Sequence, residues 1–332
     1  MKILKFVDLF CGIGGFHYAM QAASEKLGYN AKCVFASDID QKCRESYAEN
    51  HRQIPFGDIT KFNENDIPDH DILLGGFPCQ AFSIIGDMKG FKDTRGTLFF
   101  DIARILDAKK PKGFILENVK QLVGHNRGET LKTILAACQD LGYKVQFKVL
   151  NALDFGLPQK RERIFIVGWR HNLDFDFDFD LSDIKQKSLD DILEKSISNK
   201  FFASEYIQER RQAHVKREQI AHGRRTIWHE NKSGNISAYE YSCALRAGAS
   251  YNYLLVDGKR RMTEREMLRL QGFPDSFKVI GSYSDIRKQT GNALPVPIAE
   301  KVILNLLRNN LIDSKNDTYS KIAASFKVAP TL

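Results

Sequence analysis

The stretch Phe6-Val-Asp-Leu-Phe-Cys-Gly-Ile-Gly-Gly-Phe16 decides the fold. Its apolar first half predicts a buried strand. Its glycines place small residues where that strand turns into a helix, so that a ligand can approach the backbone and the helix N-terminus closely. Phe16, Ala19, Met20, Ala23 and Leu27 then recur at helical spacing up to Gly28, a helix stop. Strand, tight turn and helix in that order imply a nucleotide-like cofactor. The glycines run G-x-G-G and not G-x-G-x-x-G, and a glycine turn taken alone is often only a tight connection.

Outward from this stretch, β-branched and aromatic runs alternate with helical patterns to about Arg170. The pattern predicts an α/β fold with a doubly wound, mostly parallel sheet, its strands near residues 3–10, 33–36, 71–75, 113–117, 143–150 and 163–169. In residues 173–181 the apolar Leu173, Phe175, Phe177, Phe179 and Leu181 alternate strictly with aspartates. They read as an edge strand or, given their low complexity after the last strong strand, as a boundary, and the boundary is favoured. The βα rhythm is lost beyond it, and residues 204–223 read as a charged helix bearing Arg210, Arg211, Lys216 and Arg217. Near the end, Pro295 opens a helix whose apolar face is expected to return to the first domain. The expected division is a catalytic and cofactor-binding domain over residues 1–184, completed by 284–332, with a smaller recognition domain and hinge over 185–283.

With 332 residues, 43% of them hydrophobic, the chain buries a full core. No apolar run approaches a membrane span, and Met1-Lys2-Ile3-Leu4 leads into a strand and not a signal-peptide core, so a cytoplasmic protein without membrane association is expected. The six cysteines show no C-x-x-C spacing, which argues against a zinc site and against a regular disulfide framework, and no metal is expected. The net charge of +8 suits a polyanionic partner. Residues 185–284 hold 18 Lys and Arg against 12 Asp and Glu, so six of the eight net charges fall there.

Several short patterns lie where the carboxyl edge of such a sheet would be. Asp38 ends the second strand and is placed to accept hydrogen bonds from ribose hydroxyls, and Asp58 in Gly57-Asp-Ile to face an adenine amino group. Taken alone, each reads first as a solvated loop carboxylate. Gly75-Gly-Phe-Pro-Cys-Gln-Ala-Phe-Ser83 puts Cys79 directly after a proline at a strand end, in a loop and not in an apolar run where a cysteine is merely a small core residue. Phe114-Ile-Leu-Glu-Asn-Val119 ends another strand with Glu117 along the same edge, though a helix cap is an alternative reading. In Gln159-Lys-Arg-Glu-Arg-Ile-Phe165 the charges alternate as on a solvated face. Arg161 and Arg163 are two apart, however, and on a strand would point to one side and together address a base carbonyl and a phosphate.

In this order the segments resemble the DNA (cytosine-5)-methyltransferases, especially the compact bacterial restriction-modification enzymes. The resemblance covers nearly the whole chain. It extends to Thr263-Glu-Arg-Glu-Met-Leu-Arg-Leu-Gln-Gly-Phe-Pro-Asp275 and to Gln289-Thr-Gly-Asn-Ala-Leu-Pro295. It implies a fold of the S-adenosylmethionine-dependent methyltransferase type with a target-recognition domain, and S-adenosylmethionine as cofactor. Among the catalytic residues, it implies Cys79 as nucleophile, Glu117 as the acid at ring nitrogen 3, and Arg163 at the cytosine carbonyl with Arg161 beside it. Cofactor contacts are implied for Phe10, Gly12, Gly15, Asp38, Ile39, Asp58, Pro78, Leu98 and Asn292. Ile39 stands where relatives often carry tryptophan, and Ala244 replaces a usual threonine of the recognition domain.

The implied partners are double-stranded DNA and a restriction endonuclease, and the implied state is a monomer. Arg210, Arg211, Arg224, Arg225 and Arg246 are the expected DNA contacts, together with Ile85. This last residue either wedges into the base stack or packs its own loop. The chemistry requires a thiolate to add at carbon 6 before carbon 5 becomes nucleophilic, on a base flipped out of the duplex. An RNA methyltransferase on the same scaffold and a catalytically silent nucleic-acid-binding protein are alternatives. An NAD-dependent oxidoreductase would have the wrong glycine spacing and no role for Cys79.

Overall fold

The computed structural model describes residues 2–78, 98–170, 175–215 and 223–311. Strand β1 (Lys2–Leu9) leads through the glycine turn into α1 (Gly15–Lys26), then β2 (Tyr29–Ser37), α2 (Gln41–His51), β3 (Ile72–Gly76), α3 (Leu98–Lys109), β4 (Gly113–Val119), α4 (Glu129–Asp140) and β5 (Lys144–Asn151). A two-residue strand β6 (Gln159–Lys160) precedes β7 (Glu162–Trp169). The main sheet has the order β2-β1-β3-β4-β7-β5. Strands β1 to β4 are parallel, and β7 runs antiparallel to both β4 and β5. The mixed α/β fold with a largely parallel sheet is thus the one expected, with β7 reversed.

Both faces of this sheet are covered, which is why its strands read as nearly continuous apolar runs. Side chains alternate between two cores with the strand period of two. Leu4, Phe6, Ile72, Leu74, Ile115, Phe165 and Val167 face one side, and Val7, Leu9, Leu73, Phe114, Leu116, Ile164 and Ile166 face the other. Helix α8 (Val296–Leu311) covers the first face beside α1, its Ile298, Ala299, Val302, Ile303 and Leu306 meeting the Ala19, Met20 and Ala23 stripe. Each fully buried Ile, Leu, Val or Met side chain among these contributes about 1.5–3 kcal/mol. Phe175 and Phe177 join the same core without forming a strand, so the Asp-Phe alternation buries one side of an irregular segment.

The segment expected to serve recognition carries α5 (Glu205–His214) and a three-stranded antiparallel sheet of β8 (Ile227–Glu230), β9 (Ile236–Tyr239) and β11 (Leu254–Val256), ordered β11-β8-β9. The short β10 (Ser242–Cys243) pairs with β6 and ties the segment to the main body. The expected helix over 204–223 ends at His214, with 216–222 outside the described residues. The return to the main body comes earlier than residue 284. On α6 (Glu264–Leu270), Met267 and Leu270 pack into the recognition core while Leu268 packs into the main one, followed there by Phe273 and Phe277. Helix α7 (Tyr283–Asn292) then leads into α8. No helix among the described residues is long and apolar enough to cross a membrane.

Candidate active site

A cleft of about 690 Å³ opens at the carboxyl ends of β1 to β4. The first wall is the glycine turn. Phe10 and Gly12 take positive φ of 54° and 53°, and α1 opens on Gly14 at φ 88° with no side-chain cap, so that Gly15 and Phe16 line the cleft. A Cβ at Gly14 would lie 2.0 Å from His51 Nε2, which makes glycine obligatory there for space as well as for φ. Asp38 clamps the turn: its Oδ2 accepts the Gly12 N–H at 2.8 Å and its Oδ1 the Asp40 N–H at 2.8 Å. Burial pushes the Asp38 carboxyl above the usual range against these two bonds. Ile39 lines the cleft with 76% of its surface exposed. Asp58 accepts the Thr60 hydroxyl at 2.8 Å and the Thr60 N–H at 3.0 Å, which hold its carboxyl below the usual range. Pro78, Leu98 and Asn292 complete the set, so every residue expected to touch the cofactor lines this one cleft.

Glu117 and Arg163 line it too. Strands β4 and β7 place them side by side, with Arg163 Nε 2.8 Å from Glu117 Oε1 in a buried ion pair that lacks hydrogen-bond alignment. Burial raises the Glu117 carboxyl above its ordinary value, opposed by the Arg163 and Arg161 guanidiniums. Asn118, which the sequence reading quoted without a role, donates from Nδ2 to the Phe77 carbonyl at 2.9 Å and so fixes the exit of β3 next to Pro78. Cys79 and Ile85 lie outside the described residues.

Arg161 does not itself line the cleft. It is fully buried behind the cleft wall, with Nη1 donating to the Leu245 carbonyl at 2.9 Å and Nη2 to the carbonyls of Gly291 at 2.9 Å and Ala293 at 2.6 Å. It precedes β7, so strand alternation does not apply to it. It is a positioning residue, linking the recognition segment to the turn that carries Asn292. Gln159 works alongside, accepting the Leu245 N–H at 3.1 Å and donating to Leu270 O at 2.9 Å.

Four of the five arginines expected to meet DNA are paired internally. Arg211 is 1% exposed and donates to Glu230 at 2.8 Å and to the Asn252 carbonyl, so it is a core tie and not a surface contact. Arg210 pairs with Glu230, Arg224 with Glu240 at 2.7 Å and Arg225 with Asp257 at 2.6 Å. Arg246 is exposed, its guanidinium 4.9 Å from the centre of the Tyr253 ring. The reading of the sequence passed over Lys288, which spans the cleft wall to Asp40 at 2.5 Å. Its only signal was its place just before Gln289-Thr-Gly-Asn292.

Comparison with known proteins gives the family. Residues 4–308 match the model of the family described as C-5 cytosine-specific DNA methylase. The chain is similar to Type II methyltransferase M.NgoBI of Neisseria gonorrhoeae, 51% identical over 89% of this chain and 90% of that one. It is likewise similar to Type II methyltransferase M.HaeII of Haemophilus aegyptius, 47% identical over 99% of both. Among solved structures, S. pombe Dnmt2 methyltransferase shares the fold with a TM-score of 0.68 at 22% identity, over 92% of this chain and 98% of that one. The chain therefore belongs to the C-5 cytosine-specific DNA methylase family and is a DNA (cytosine-5)-methyltransferase.

Proposed function

We propose that the chain methylates carbon 5 of a cytosine within a specific duplex DNA sequence, using S-adenosylmethionine and a covalent Cys79 adduct on a flipped-out base. We further propose that it acts as a monomer and protects DNA from a partner restriction endonuclease. The observation that supports this most is the convergence on one cleft of all nine expected cofactor contacts with Glu117 and Arg163.

The cleft suits the cofactor. Its volume of about 690 Å³ falls in the range of roughly 300–1,000 Å³ of small-molecule sites. Each Asp38 oxygen accepts one backbone N–H and keeps a lone pair for a ribose hydroxyl. The exposed apolar face of Ile39 offers a surface to a flat base, with Asp58 at the same wall. The uncapped start of α1 at Gly15 suits a carboxylate. When bound, S-adenosylmethionine supplies an electrophilic methyl group on a sulfonium.

The remaining steps belong to the chain. The Cys79 thiolate forms a bond to carbon 6, and the ring electrons shift toward carbon 5 and nitrogen 3. Glu117, whose carboxyl burial raises above its ordinary value, gives a proton to nitrogen 3. Arg163 holds the Glu117 carboxyl in place and directs its remaining N–H groups to the cytosine carbonyl. Release needs loss of the carbon 5 proton to a base, return of the carbon 6–sulfur electron pair to sulfur and return of the nitrogen 3 proton to Glu117. The cytosine leaves the stack at a cost of a few kcal/mol.

DNA treated with the protein and S-adenosylmethionine, then read by methylation-sensitive sequencing, should show one sequence context modified at cytosine. A duplex carrying 5-fluorocytosine at that position should then be trapped in a denaturation-resistant complex, and Cys79→Ala should bind the duplex without trapping it. Trapping by Cys79→Ala would falsify the nucleophile assignment.

A further inference from the structure

Arginines that already hold a carboxylate give a phosphate little to gain, because the carboxylate must be displaced first. Arg210, Arg211, Arg224 and Arg225 are in that condition. A different set is not. Arg246, Arg261 and Arg287 have aromatic rings and carbonyl oxygens as their partners among the described residues, and none of the three forms an ion pair there. The Arg287 guanidinium lies 4.1 Å from the centre of the Tyr251 ring and donates to the Ala249 carbonyl at 2.7 Å. Arg261 lies 6.0 Å from that same ring and 5.6 Å from Tyr283, and donates to the carbonyls of Lys200 and Phe201. Tyr251 and Tyr283 stack with ring centres 6.0 Å apart, and Tyr251 keeps 46% of its surface exposed. Arg261 and Arg287 are thus held beside one pair of stacked rings with no ion-pair partner among the described residues. Two like charges so placed favour the approach of an anion.

The patch also lies beside the catalytic cleft. Arg287 is on α7, whose next residues Lys288, Gln289 and Asn292 line that cleft. The loop carrying Arg246 is seated against α7 so closely that a Cβ at Gly291 would lie 2.3 Å from the Ala247 nitrogen. Arg161 fastens that loop from beneath through Leu245.

Resting on the reading of this chain as a DNA-modifying enzyme, we propose that Arg246, Arg261 and Arg287, seated on Tyr253, Tyr251 and Tyr283, are the surface that holds the DNA phosphates beside the target base. The internally paired arginines of residues 210–225 contribute less. Each guanidinium that neutralises a phosphate releases condensed counterions.

The test is the salt dependence of affinity for a duplex of the methylated sequence, measured by fluorescence anisotropy. Arg246→Gln, Arg261→Gln and Arg287→Gln should each flatten the slope of log K against log salt by about 0.9. Arg224→Gln and Arg225→Gln should flatten it by less than half of that. Arg287 also holds its loop, so Arg287→Lys, which keeps the charge, should restore the slope, and Arg261→Gln carries the test if Arg287→Gln fails to fold. A steep wild-type slope left unchanged by Arg246→Gln and Arg261→Gln overturns the proposal. A flat wild-type slope would instead overturn the DNA reading on which it rests.

Discussion

In the proposed reaction Glu117 must carry a proton while an arginine lies against it. Burial wins that contest, because desolvation penalises the carboxylate more than Arg163 and Arg161 favour it. The raised value sets the sign of the pH profile: the proton-bearing form persists to higher pH than for an ordinary carboxyl, and turnover falls as pH rises through the folded value. Glu117→Gln keeps the shape and loses the proton. It should lower kcat by roughly 10²–10⁴ while changing duplex affinity little, and the alkaline fall in the residual rate should disappear. Loss of affinity with kcat intact, read by single-turnover methylation and a parallel binding titration, would contradict the role. The place of Glu117 was legible in the sequence because it ends an apolar strand, and that of Arg163 because it enters the neighbouring strand, whereas their roles rest on the resemblance. Arg161 was misread. Spacing of two tells which side a strand residue faces, but its partners at Leu245, Gly291 and Ala293 are joined to it only by the folded chain.

Elements were more legible than their directions. All six main strands fall within a few residues of where the apolar runs place them, since burial on both faces of the central strands leaves an unambiguous pattern. The reversal of β7 has a cause visible in the sequence: the connection from β5 is too short for a crossover helix, and an antiparallel return is what remains. The alternation at residues 175–181 failed as a strand signal because Phe175 and Phe177 are buried by the sheet beneath them without ladder partners. The element on which the cofactor site depends most is the start of α1. Gly14 sits at φ 88° against His51, and a methyl group there would meet the imidazole. Gly14→Ala should therefore move the turn, with a strain of roughly 1–3 kcal/mol, and should raise the dissociation constant for S-adenosylhomocysteine at least tenfold in calorimetry. Unchanged cofactor affinity in a folded Gly14→Ala protein would remove the glycine turn from the site.

At the scale of the whole molecule, stability is tied to an imidazole pair buried behind that turn. His17 stacks on His51 with ring centres 4.0 Å apart, His17 Nδ1 meets the Tyr47 hydroxyl at 2.6 Å, and His51 Nε2 meets the Ile13 carbonyl at 3.3 Å. Burial lowers His17 to about 3, helped by His51, and lowers His51 to about 4 against the Ile13 carbonyl. Both remain neutral in the fold at pH values where an unfolded histidine is charged. The unfolded chain therefore binds more protons between about pH 6.5 and pH 4, and stability is lost as pH falls through that window. Each histidine contributes a loss of up to about 1.4 kcal/mol per pH unit. Asp8, buried beneath the same turn, has its carboxyl raised by burial and then by Asp38, and it works in the opposite sense, holding a proton in the fold that the unfolded chain releases. The difference between wild type and His51→Gln isolates one imidazole, since Asp8 is common to both proteins. Gln can keep a bond to Ile13, so the variant should be less stable at pH 7 by a modest amount. The gap in urea unfolding free energy should narrow by about 1–2 kcal/mol between pH 6.5 and pH 5. A gap that stays constant across that range would mean that His51 titrates alike in the folded and unfolded chain, and that the packing around the glycine turn does not exclude its charge.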